Sequence, residues 1–364
     1  MKITTIIGAR PQFIKAAVIS RVLKNYPQIE EIIVHTGQHF DENMSAVFFD
    51  EMDIPKPHYN LNINGLNHGA MTGQMMEKIE EVLLKEQPDW VLVYGDTNST
   101  LAGALAAKKL HIKVAHVEAG LRSFNLQMPE EINRILTDRI SDLLFCPTTQ
   151  AMENLEKEGF AHFPCKILPI GDVMQDAAIF YSTKAQKPQE KIPHQFILAT
   201  VHRAENTDNQ DKLQSIFAAL EQLAQQYGVV LPLHPRTKQK LQQIHFNFEN
   251  SFITFIDPVG YLEMIYLLKN CKMVATDSGG LQKEAYFFQK GCITLRQETE
   301  WVELIQHGFN KIVGSDKTQI IENAEFMLNK TDFPFDLNLY GNGRAGEAVV
   351  KAIKNSFFRL RDKY

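Results

Sequence analysis

Residues 90–122, with the sequence WVLVYGDTNSTLAGALAAKKLHIKVAHVEAGLR, decide the fold class of this 364-residue chain. The apolar run Trp90–Tyr94 is typical of a buried strand, Ser99–Lys109 is predicted to form a helix, and Lys113–Val117 is a second strand-like run. A strand, a helix and another strand in this order predict a parallel sheet that helices cover.

The same alternation of strands and helices continues over most of the chain. It weakens after residue 171 and restarts after the polar stretch Tyr181–His194, which we interpret as a linker. We therefore predict two Rossmann-like domains of the α/β class, 1–175 and 190–345, each with a doubly wound parallel sheet, and a terminal helix over 346–364. Ligands of such sheets gather at the carboxyl ends of the strands.

Composition excludes several classes of protein. Lys and Arg number 38 and Asp and Glu 43, for a net charge of −5, so nucleic acid and anionic membranes are poor partners. No apolar run approaches the roughly 20 residues of a membrane span, and the start, MKITTIIGARPQF, is typical of a strand and turn rather than a signal peptide. The four cysteines have no CxxC spacing, which favours buried thiols in the cytoplasm over a metal site or disulfide.

Cationic residues follow the first predicted strand, Ile3–Ile7. The residues 8–12, GARPQ, lead into a helix, and Lys15 lies one turn further along. A glycine turn at a helix N-terminus with Arg10 and Lys15 beside it is typical of a phosphate site. An ordinary surface turn is the alternative, because the Gly-Lys-Ser/Thr ending of a P-loop is missing.

Acidic residues follow the next strands of the predicted first sheet. Asp96 and Glu118 come directly after strand-like runs, and Glu130 lies in the first turn of the helix predicted over Pro129–Ile140. Each alone is explained as a helix cap or as a partner of a helix dipole. Together at one sheet edge they would repel one another and raise at least one pKa. The cluster then holds a proton donor beside a proton acceptor, as general acid–base catalysis requires.

Histidines follow two strands of the predicted second domain. His202 comes after the strand-like run Phe196–Val201, and His234 and Arg236 come after Val229–Leu233. We predict that His202 and His234 contact the substrate, and a structural role is the alternative for either histidine.

A glycine-rich helix start follows a third strand of that domain. Ser278, Gly279 and Gly280 would present free backbone N–H groups that suit a diphosphate, and Glu284, one turn further, could accept two ribose hydroxyls. The GxGxxG match at 341–346 follows no strand and leaves no room for a βαβ unit, so we do not interpret it as a nicotinamide site.

These segments, in this order, resemble the non-hydrolysing UDP-N-acetylglucosamine 2-epimerases. The resemblance covers nearly the whole chain and rests on the motifs GARPQFIK, HTGQH, VYGDTNSTLAGALAA, HVEAGLRS, PEEINR, HRAEN, TDSGG and QKEA. It implies a GT-B fold with the active site in the cleft between the two domains and the last helix packed on the first domain. It also implies a homodimer without NAD, another cofactor or an essential metal.

The resemblance further implies a reaction and a role for each residue. Enzymes of the family remove the C2 proton of a UDP-sugar, expel UDP to leave a 2-acetamidoglucal, and then add UDP back. Asp96, Glu118 and Glu130 match the acid–base carboxylates of the family, and Glu284 matches its ribose-binding glutamate. The remaining matches are the UDP phosphate contacts Arg10, His202, Ser278, Gly279 and Gly280, with His202 also counted as catalytic, and the active-site positions Lys15 and His39.

Departures from the commonest family pattern favour one subgroup. Arg236 stands where Asn is usual after His-Pro, and Trp301-Val302 stands where Arg-Pro is usual. In these places the chain is more similar to epimerases of UDP-2,3-diacetamido-2,3-dideoxyglucuronate, which serve lipopolysaccharide O-antigen synthesis. A uronate adds a negative charge, for which Arg236 and then Arg122 are candidate partners. Pairing of Arg236 with a surface acid is the alternative.

Other functions stay open for the same sequence. They are a GT-B glycosyltransferase, a hydrolysing 2-epimerase and a non-catalytic sensor of nucleotide sugars. A transferase would not need three carboxylates in the first domain, and a sensor would tolerate their loss.

Overall fold

The computed structural model describes residues 1–38 and 56–361. The chain divides into two compact units, of which the first contains Met1–Ala177 and Asn338–Tyr364 and the second contains Ala178–Leu337. Among the described residues, no helix is both long enough and apolar enough to cross a bilayer.

The first unit contains a parallel sheet of seven strands in the order β3-β2-β1-β4-β5-β6-β7. These strands are β1 (Lys2–Ile7), β2 (Glu30–His35), β3 (Tyr59–Asn60), β4 (Trp90–Tyr94), β5 (Lys113–Val117), β6 (Leu143–Cys146) and β7 (Lys166–Pro169). Its helices are α1 (Arg10–Leu23), α2 (His68–Glu86), α3 (Asn98–Lys109), α4 (Pro129–Ile140), α5 (Thr149–Lys157), α6 (Val173–Ser182) and the last helix of the chain, α14 (Ala345–Arg361). A short 3-10 turn spans Phe160–His162. Helix α6 crosses the boundary between the units, which lies after Ala177.

Burial explains why the central strands are apolar at every position. All five residues of β4 are buried, because a parallel sheet between helices has no solvent-facing side. The core on one face of this sheet includes Val91, Val93 and Val114 with Ile79 of α2. The chain leaves these strands at one edge, so the residues that follow β1, β4 and β5 meet there.

The last helix, α14, belongs to the first unit and packs on α1. The Asp176 carboxylate accepts the backbone N–H groups of Ala345 at 3.1 Å and Gly346 at 2.9 Å, and so caps the helix start. Gly346 lies close to Val18 of α1, where a Cβ atom would come within 2.8 Å of a methyl group. These contacts explain how the end of the chain joins the unit that contains its start.

The second unit contains a parallel sheet of six strands in the order β10-β9-β8-β11-β12-β13. The strands are β8 (Ile197–Thr200), β9 (Val229–Pro232), β10 (Thr254–Ile256), β11 (Met273–Thr276), β12 (Gly291–Thr294) and β13 (Asn310–Ile312). The helices are α7 (Ala204–Thr207), α8 (Gln210–Tyr227), α9 (Pro235–Gln243), α10 (Tyr261–Asn270), α11 (Gly279–Phe287), α12 (Val302–Gln306) and α13 (Lys317–Asn329).

Alternate residues of this sheet enter two separate cores. Ile197 and Ala199 of β8 pack in one core, and Leu198 packs in the other, on the opposite face. The two parallel-sheet units confirm the predicted α/β fold class. The predicted bounds of β4, β5 and α4 agree with the structure.

Helix α6 was not predicted, because the helical pattern weakens after residue 171. Its sequence, VMQDAAIFYS, is mostly apolar, so the alternation of polar and apolar faces that indicates a surface helix is missing. Val173, Ala177 and Tyr181 are buried, whereas Ile179 is exposed. The polar stretch interpreted as a linker therefore overlaps the end of a helix.

Candidate active site

The turn after β1 is closed by a side chain of its own helix. The Gln12 amide oxygen accepts the backbone N–H groups of Gly8 at 2.8 Å and Ala9 at 3.0 Å, and its NH₂ group donates to Tyr94 O at 2.8 Å. A Cβ atom at Gly8 would lie 2.1 Å from the Thr36 hydroxyl, so only glycine fits. The N–H groups of Gly8 and Ala9 are therefore occupied, so phosphate binding at this turn, which stays a prediction, would depend on Arg10 and Lys15.

Of these cations, Lys15 forms an ion pair with Glu118, and both side chains are nearly buried. Arg10 is the first residue of α1, but its side chain lies outside the described atoms. His39 also lies outside the described residues. The predicted roles of Arg10 and His39 therefore stay predictions.

Glu118 occupies a strained backbone position. Its φ of +73° lies in the left-handed region, which a residue with a Cβ atom rarely adopts. Two backbone N–H groups, of Glu118 at 3.1 Å and Ala119 at 3.0 Å, donate to the Phe145 carbonyl and hold this geometry. Strain of this kind costs about 1–3 kcal/mol and clusters at functional sites. It directs the Glu118 carboxylate to Lys15.

Asp96 is held by a cation that the sequence analysis did not single out. The Arg134 guanidinium, on α4, donates to the Asp96 carboxylate at 2.5 Å and to Glu131 at 2.9 Å. Asn133 donates to the Asp96 carbonyl at 2.8 Å. Arg134 follows Glu130 by four residues and Glu131 by three, so its place on the same helical face was a signal available in the sequence.

The three predicted carboxylates of the first unit lie close enough for their charges to interact. Burial raises the pKa of Asp96 above its ordinary value, and the charges of Glu118 and Glu130 raise it further. Arg134 and Lys15 oppose this rise. The Asp96 side chain keeps 34% of its exposure, so solvent limits the shift. The result is a carboxyl group that can be protonated near a carboxylate that is paired with a lysine.

Glu131 has a structural role beside this cluster. Burial works to raise its pKa, but the backbone N–H groups of Ser123 and Phe124 and the Arg134 charge outweigh burial, so the pKa is lowered. Those N–H groups lie 3.0 and 2.9 Å from the carboxylate. Glu131 therefore anchors the loop before α4 and positions Arg134.

Arg122 is a structural cation, which corrects its prediction as a substrate ligand. Its side chain is buried and donates to Glu158 at 2.6 and 2.9 Å, to Asp138 at 2.8 Å and to the Leu121 carbonyl at 2.7 Å. A guanidinium has five N–H groups, and these contacts use four of them. Little capacity is left for a substrate carboxylate.

The site of the second unit is organised around Asp277, which the sequence analysis quoted within TDSGG without giving it a role. Asp277 is fully buried. Its carboxylate accepts the backbone N–H groups of His202 at 3.0 Å and Arg203 at 2.9 Å and the Asn206 amide at 3.1 Å. The His202 Nδ1 atom lies 3.4 Å from the same carboxylate. Asp277 thus fixes the His202 backbone and ring at the end of β8.

Helix α11 begins two residues after this aspartate, with Ser278 as its N-cap. A Cβ atom at Gly279 would lie 2.3 Å from the Glu300 carboxylate, so a larger residue would displace that side chain. At Gly280 a Cβ atom would meet no described residue within 4 Å, so packing does not require that glycine. Glu284 is buried one turn further along. The open space at Gly280 leaves the helix N-terminus accessible to an anion.

His234 and Arg236 have partners within the second unit. His234 begins α9 as its N-cap, and its Nδ1 atom accepts the Arg236 N–H at 3.2 Å. The Arg236 guanidinium donates to Asp208 at 2.5 Å and to the Thr207 hydroxyl at 3.1 Å. The alternative for Arg236, pairing with a surface acid, is therefore the arrangement that the structure contains.

A cavity of about 460 Å³ lies elsewhere in the second unit. It is lined by Phe196, Lys272 and Lys290, which directly precede β8, β11 and β12. Ser278 and His202 follow the opposite ends of these strands, so the cavity is not part of the candidate site. Within residues 1–38 and 56–361, no group of three or more His, Cys, Asp or Glu residues is placed to hold a metal ion.

The chain is similar to known proteins in family, sequence and structure. The family model described as UDP-N-acetylglucosamine 2-epimerase matches residues 21–354. The chain is 56% identical, over 96% of its length and 99% of the relative, to a UDP-2,3-diacetamido-2,3-dideoxy-D-glucuronate 2-epimerase of Pseudomonas aeruginosa. It is 45% identical, over 97% of its length and 99% of the relative, to the UDP-N-acetylglucosamine 2-epimerase of Methanocaldococcus jannaschii.

A solved structure of a Methanocaldococcus jannaschii enzyme extends this similarity to three dimensions. That crystal structure is of a UDP-GlcNAc 2-epimerase in complex with UDP-GlcNAc and UDP, and it matches with a TM-score of 0.90 at 44% identity, over 98% of this chain and 100% of that one. The two parallel sheets and these matches agree with the predicted GT-B fold class. The chain therefore belongs to the UDP-N-acetylglucosamine 2-epimerase family.

Proposed function

We propose that this enzyme epimerises C2 of a UDP-2-acetamido sugar by elimination and readdition of UDP. The observation that carries the proposal is the group of three carboxylates, Asp96, Glu118 and Glu130, in which the pKa of Asp96 is raised by burial and by its two acidic neighbours. Such a group can take a proton from carbon and return one, as epimerisation requires.

The proposed reaction needs one base and one acid. A carboxylate takes the C2 proton, the electrons of that C–H bond form the C1–C2 double bond, and the C1–O bond breaks with its electrons going to UDP. UDP then adds to C1 of the 2-acetamidoglucal while a second carboxyl group delivers a proton to the opposite face of C2. Asp96, Glu118 and Glu130 would share these roles, and Lys15 would keep Glu118 ionised.

The second unit would hold UDP. The open space at Gly280 supports diphosphate binding at the N-terminus of α11. The Ser278 N–H was predicted to be free, but it donates to the Thr276 hydroxyl at 2.9 Å, so the N–H groups of Gly279 and Gly280 would be the donors. A glycine destabilises a helix by about 1 kcal/mol relative to alanine, and among the described residues no atom lies near enough to the Gly280 Cβ position to require glycine there. Close approach of a ligand explains it. His202, fixed by Asp277, would contact the same phosphates.

Glu284→Ala should weaken UDP binding by about 1.5–3 kcal/mol, as expected when hydrogen bonds to a charged group are lost. The reason is that Glu284 would accept both ribose hydroxyls. Calorimetry with UDP alone measures the effect, and Glu322→Ala, an exposed glutamate on α13, is the matched control. Thermal unfolding is measured alongside because Glu284 is buried. Unchanged UDP affinity would make Glu284 a packing residue.

For the sugar, we propose UDP-2,3-diacetamido-2,3-dideoxyglucuronate. The 56% identity to an enzyme named for that substrate and the residues Arg236 and Trp301-Val302 support this choice. Four of the five N–H groups of Arg122 already have partners, and Arg236 is paired with Asp208. The extra carboxylate would therefore need another donor, or Arg236 would have to separate from Asp208. Polysaccharide synthesis in the cytoplasm is the corresponding proposed role.

The test of this function is a substrate panel in D₂O read by proton NMR. The diacetamido-glucuronate should yield its C2 epimer with deuterium at C2, and UDP-N-acetylglucosamine should react more slowly. Full retention of C2 protium in the epimer would contradict elimination and readdition. Free sugar and UDP as products would indicate the hydrolysing alternative. No reaction without an added acceptor would indicate the glycosyltransferase alternative.

We also propose that the enzyme is a homodimer, as the resemblance implies. Exposed apolar side chains on and before α4 support a second copy as the occupant of this surface, namely Phe124 and Leu126, which are 73% and 67% exposed, and Ile132 and Leu136, each 44% exposed. Light scattering should give twice the 41.5 kDa chain mass. Leu136→Glu should reduce that mass toward one chain, whereas Ile179→Glu, at a comparably exposed apolar position, should not. A monomer in the unmodified protein would contradict the proposal.

A further inference from the structure

A buried histidine lies directly behind the carboxylates of the first unit. His116, on β5, is fully buried, and no role was assigned to it above. Its Nδ1 atom lies 2.7 Å from the Asp138 carboxylate, and its Nε2 atom lies 2.7 Å from the Gly95 carbonyl oxygen. Both ring nitrogens therefore have close hydrogen-bond partners on different segments of the chain.

Both of these partners accept hydrogen bonds. A backbone carbonyl oxygen cannot donate, so Nε2 carries a proton. The other oxygen of Asp138 accepts the Arg122 guanidinium at 2.8 Å and the Gly120 N–H at 3.1 Å, and these contacts keep the carboxylate ionised. Nδ1 faces the ionised Asp138 carboxylate, so both ring nitrogens of His116 lie against hydrogen-bond acceptors.

The other charged and titratable groups around this pair come from neighbouring elements. Arg122 follows β5, Glu158 lies at the end of α5 and pairs with Arg122, and Cys146 ends β6. Burial raises the pKa of Cys146, so this thiol remains neutral. Arg122 pairs with both carboxylates, Asp138 and Glu158, so neither of these buried or partly buried acids lacks a cation.

The pair joins the two backbone segments that carry the proposed catalytic groups. Gly95, whose carbonyl His116 holds, directly precedes Asp96 and has a φ of +62°. Asp138, the partner of His116, holds the N–H of Gly120, two residues after Glu118. The Gly95 N–H in turn donates to the Val117 carbonyl at 3.0 Å. The hydrogen-bonded pair His116–Asp138 therefore fixes the peptide before Asp96 and the turn after Glu118.

We propose that His116 is a positioning residue for Asp96, acting through its hydrogen bond to the Gly95 carbonyl. The bond fixes the peptide from which the Asp96 carboxylate extends, and a displacement of about 1 Å at a reacting group can cost about 10²-fold in rate. This inference rests on the proposed catalytic role of Asp96. It adds a residue that would affect turnover without touching the substrate.

Two substitutions separate positioning from simple core packing. The amide of Asn reaches about as far as Nδ1 of histidine, so His116→Asn keeps a donor for Asp138 and loses the bond to Gly95. The amide of Gln reaches about as far as Nε2, so His116→Gln keeps a donor for Gly95 and leaves Asp138 with one donor fewer. A buried carboxylate that loses a partner destabilises the fold, so His116→Gln should be the less stable variant.

We expect the more stable variant, His116→Asn, to be the less active one. His116→Asn should lower kcat by about 10–10²-fold with little change in KM, while His116→Gln should keep a higher kcat despite a lower Tm. Turnover is measured by epimer formation, stability by thermal unfolding, and UDP affinity by calorimetry as a control on the second unit. Losses of kcat that follow Tm, that are equal in both variants, or that are absent from both would overturn the proposal.

A measurement on the unmodified protein keeps the inference testable if neither variant folds. Nitrogen-15 NMR of histidine-labelled enzyme at pH 7 should find the Nε2 atom of His116 protonated. An Nε2 atom without a proton would contradict the hydrogen bond to Gly95 and with it the proposed positioning. If Asp96→Asn left turnover unchanged, the role of Asp96 would fail on its own, so that failure can be distinguished from a failure of His116.

Discussion

Asp96→Asn, Glu118→Gln and Glu130→Gln should each lower turnover by at least about 10²-fold, the contribution typical of general acid–base groups. Each substitution keeps the shape of the side chain and removes its ability to exchange a proton. UDP affinity should change little, because the proposed UDP donors belong to α11 and β8 in the second unit. Epimer formation and calorimetry with UDP measure the two quantities on the same preparations.

The control for these variants is Glu77→Gln, an exposed glutamate on α2. It should keep full turnover, since it removes a carboxylate of the same unit that no described contact links to the cluster. Turnover like that of the unmodified enzyme in any one of the three variants would remove that residue from the acid–base set. A fall in UDP affinity equal to the fall in turnover would instead indicate a binding role.

Arg134→Leu should also have a large effect and should lower both the stability of the fold and turnover. Arg134 is buried between Glu131 and Asp96, and removing one partner of a buried ion pair costs about 3–5 kcal/mol. The loss of folding free energy should lie near the lower end of this range, because about a third of the Asp96 side chain is exposed. Denaturant unfolding measures the loss. Arg134→Lys keeps the positive charge but lacks the planar guanidinium that reaches both carboxylates. Its stability and turnover should lie between those of Arg134→Leu and the unmodified enzyme.

The same substitution should change the response to pH. The folded-state pKa of Glu131 is lowered below the ordinary value of 4.5, so its contribution to stability is complete above that pH and is lost as the pH falls through the folded value. Without Arg134 this acid-dependent loss should be smaller. The pKa of Asp96 should rise further, because Arg134 opposes its rise. Stability and turnover curves from pH 3 to 8 that match the unmodified protein would contradict this arrangement.

Local patterns were enough to predict where the acidic residues would lie. The run Trp90–Tyr94 is apolar at every position because it is buried on both faces, and its bounds in the sequence and in the structure are the same. The rule that parallel strands end at one edge then placed Asp96 and Glu118 together. Their coupling in the pKa of Asp96 agrees with that placement.

The partners of individual side chains were not predictable from the sequence. Arg122 has the residue type of a substrate ligand, but its partners, Asp138 and Glu158, come 16 and 36 residues later. The turn after β1 has the composition of a phosphate site, but Gln12 occupies the N–H groups of Gly8 and Ala9 from within α1. Such pairings depend on side-chain geometry that spacing along the chain does not reveal.

The amino-acid sequence by itself determined the α/β class, the two parallel sheets and the residue types at their carboxyl edges, because periodicity, turn residues and strand length are local properties. Only the tertiary structure decided which of those residues are paired with one another. Lys15 pairs with Glu118, Arg134 pairs with Asp96, and His116 contacts Asp138 and Gly95, through contacts between elements far apart in the chain. Charge, burial and hydrogen-bond partners set the chemistry of an ionisable group, and folding brings those partners together.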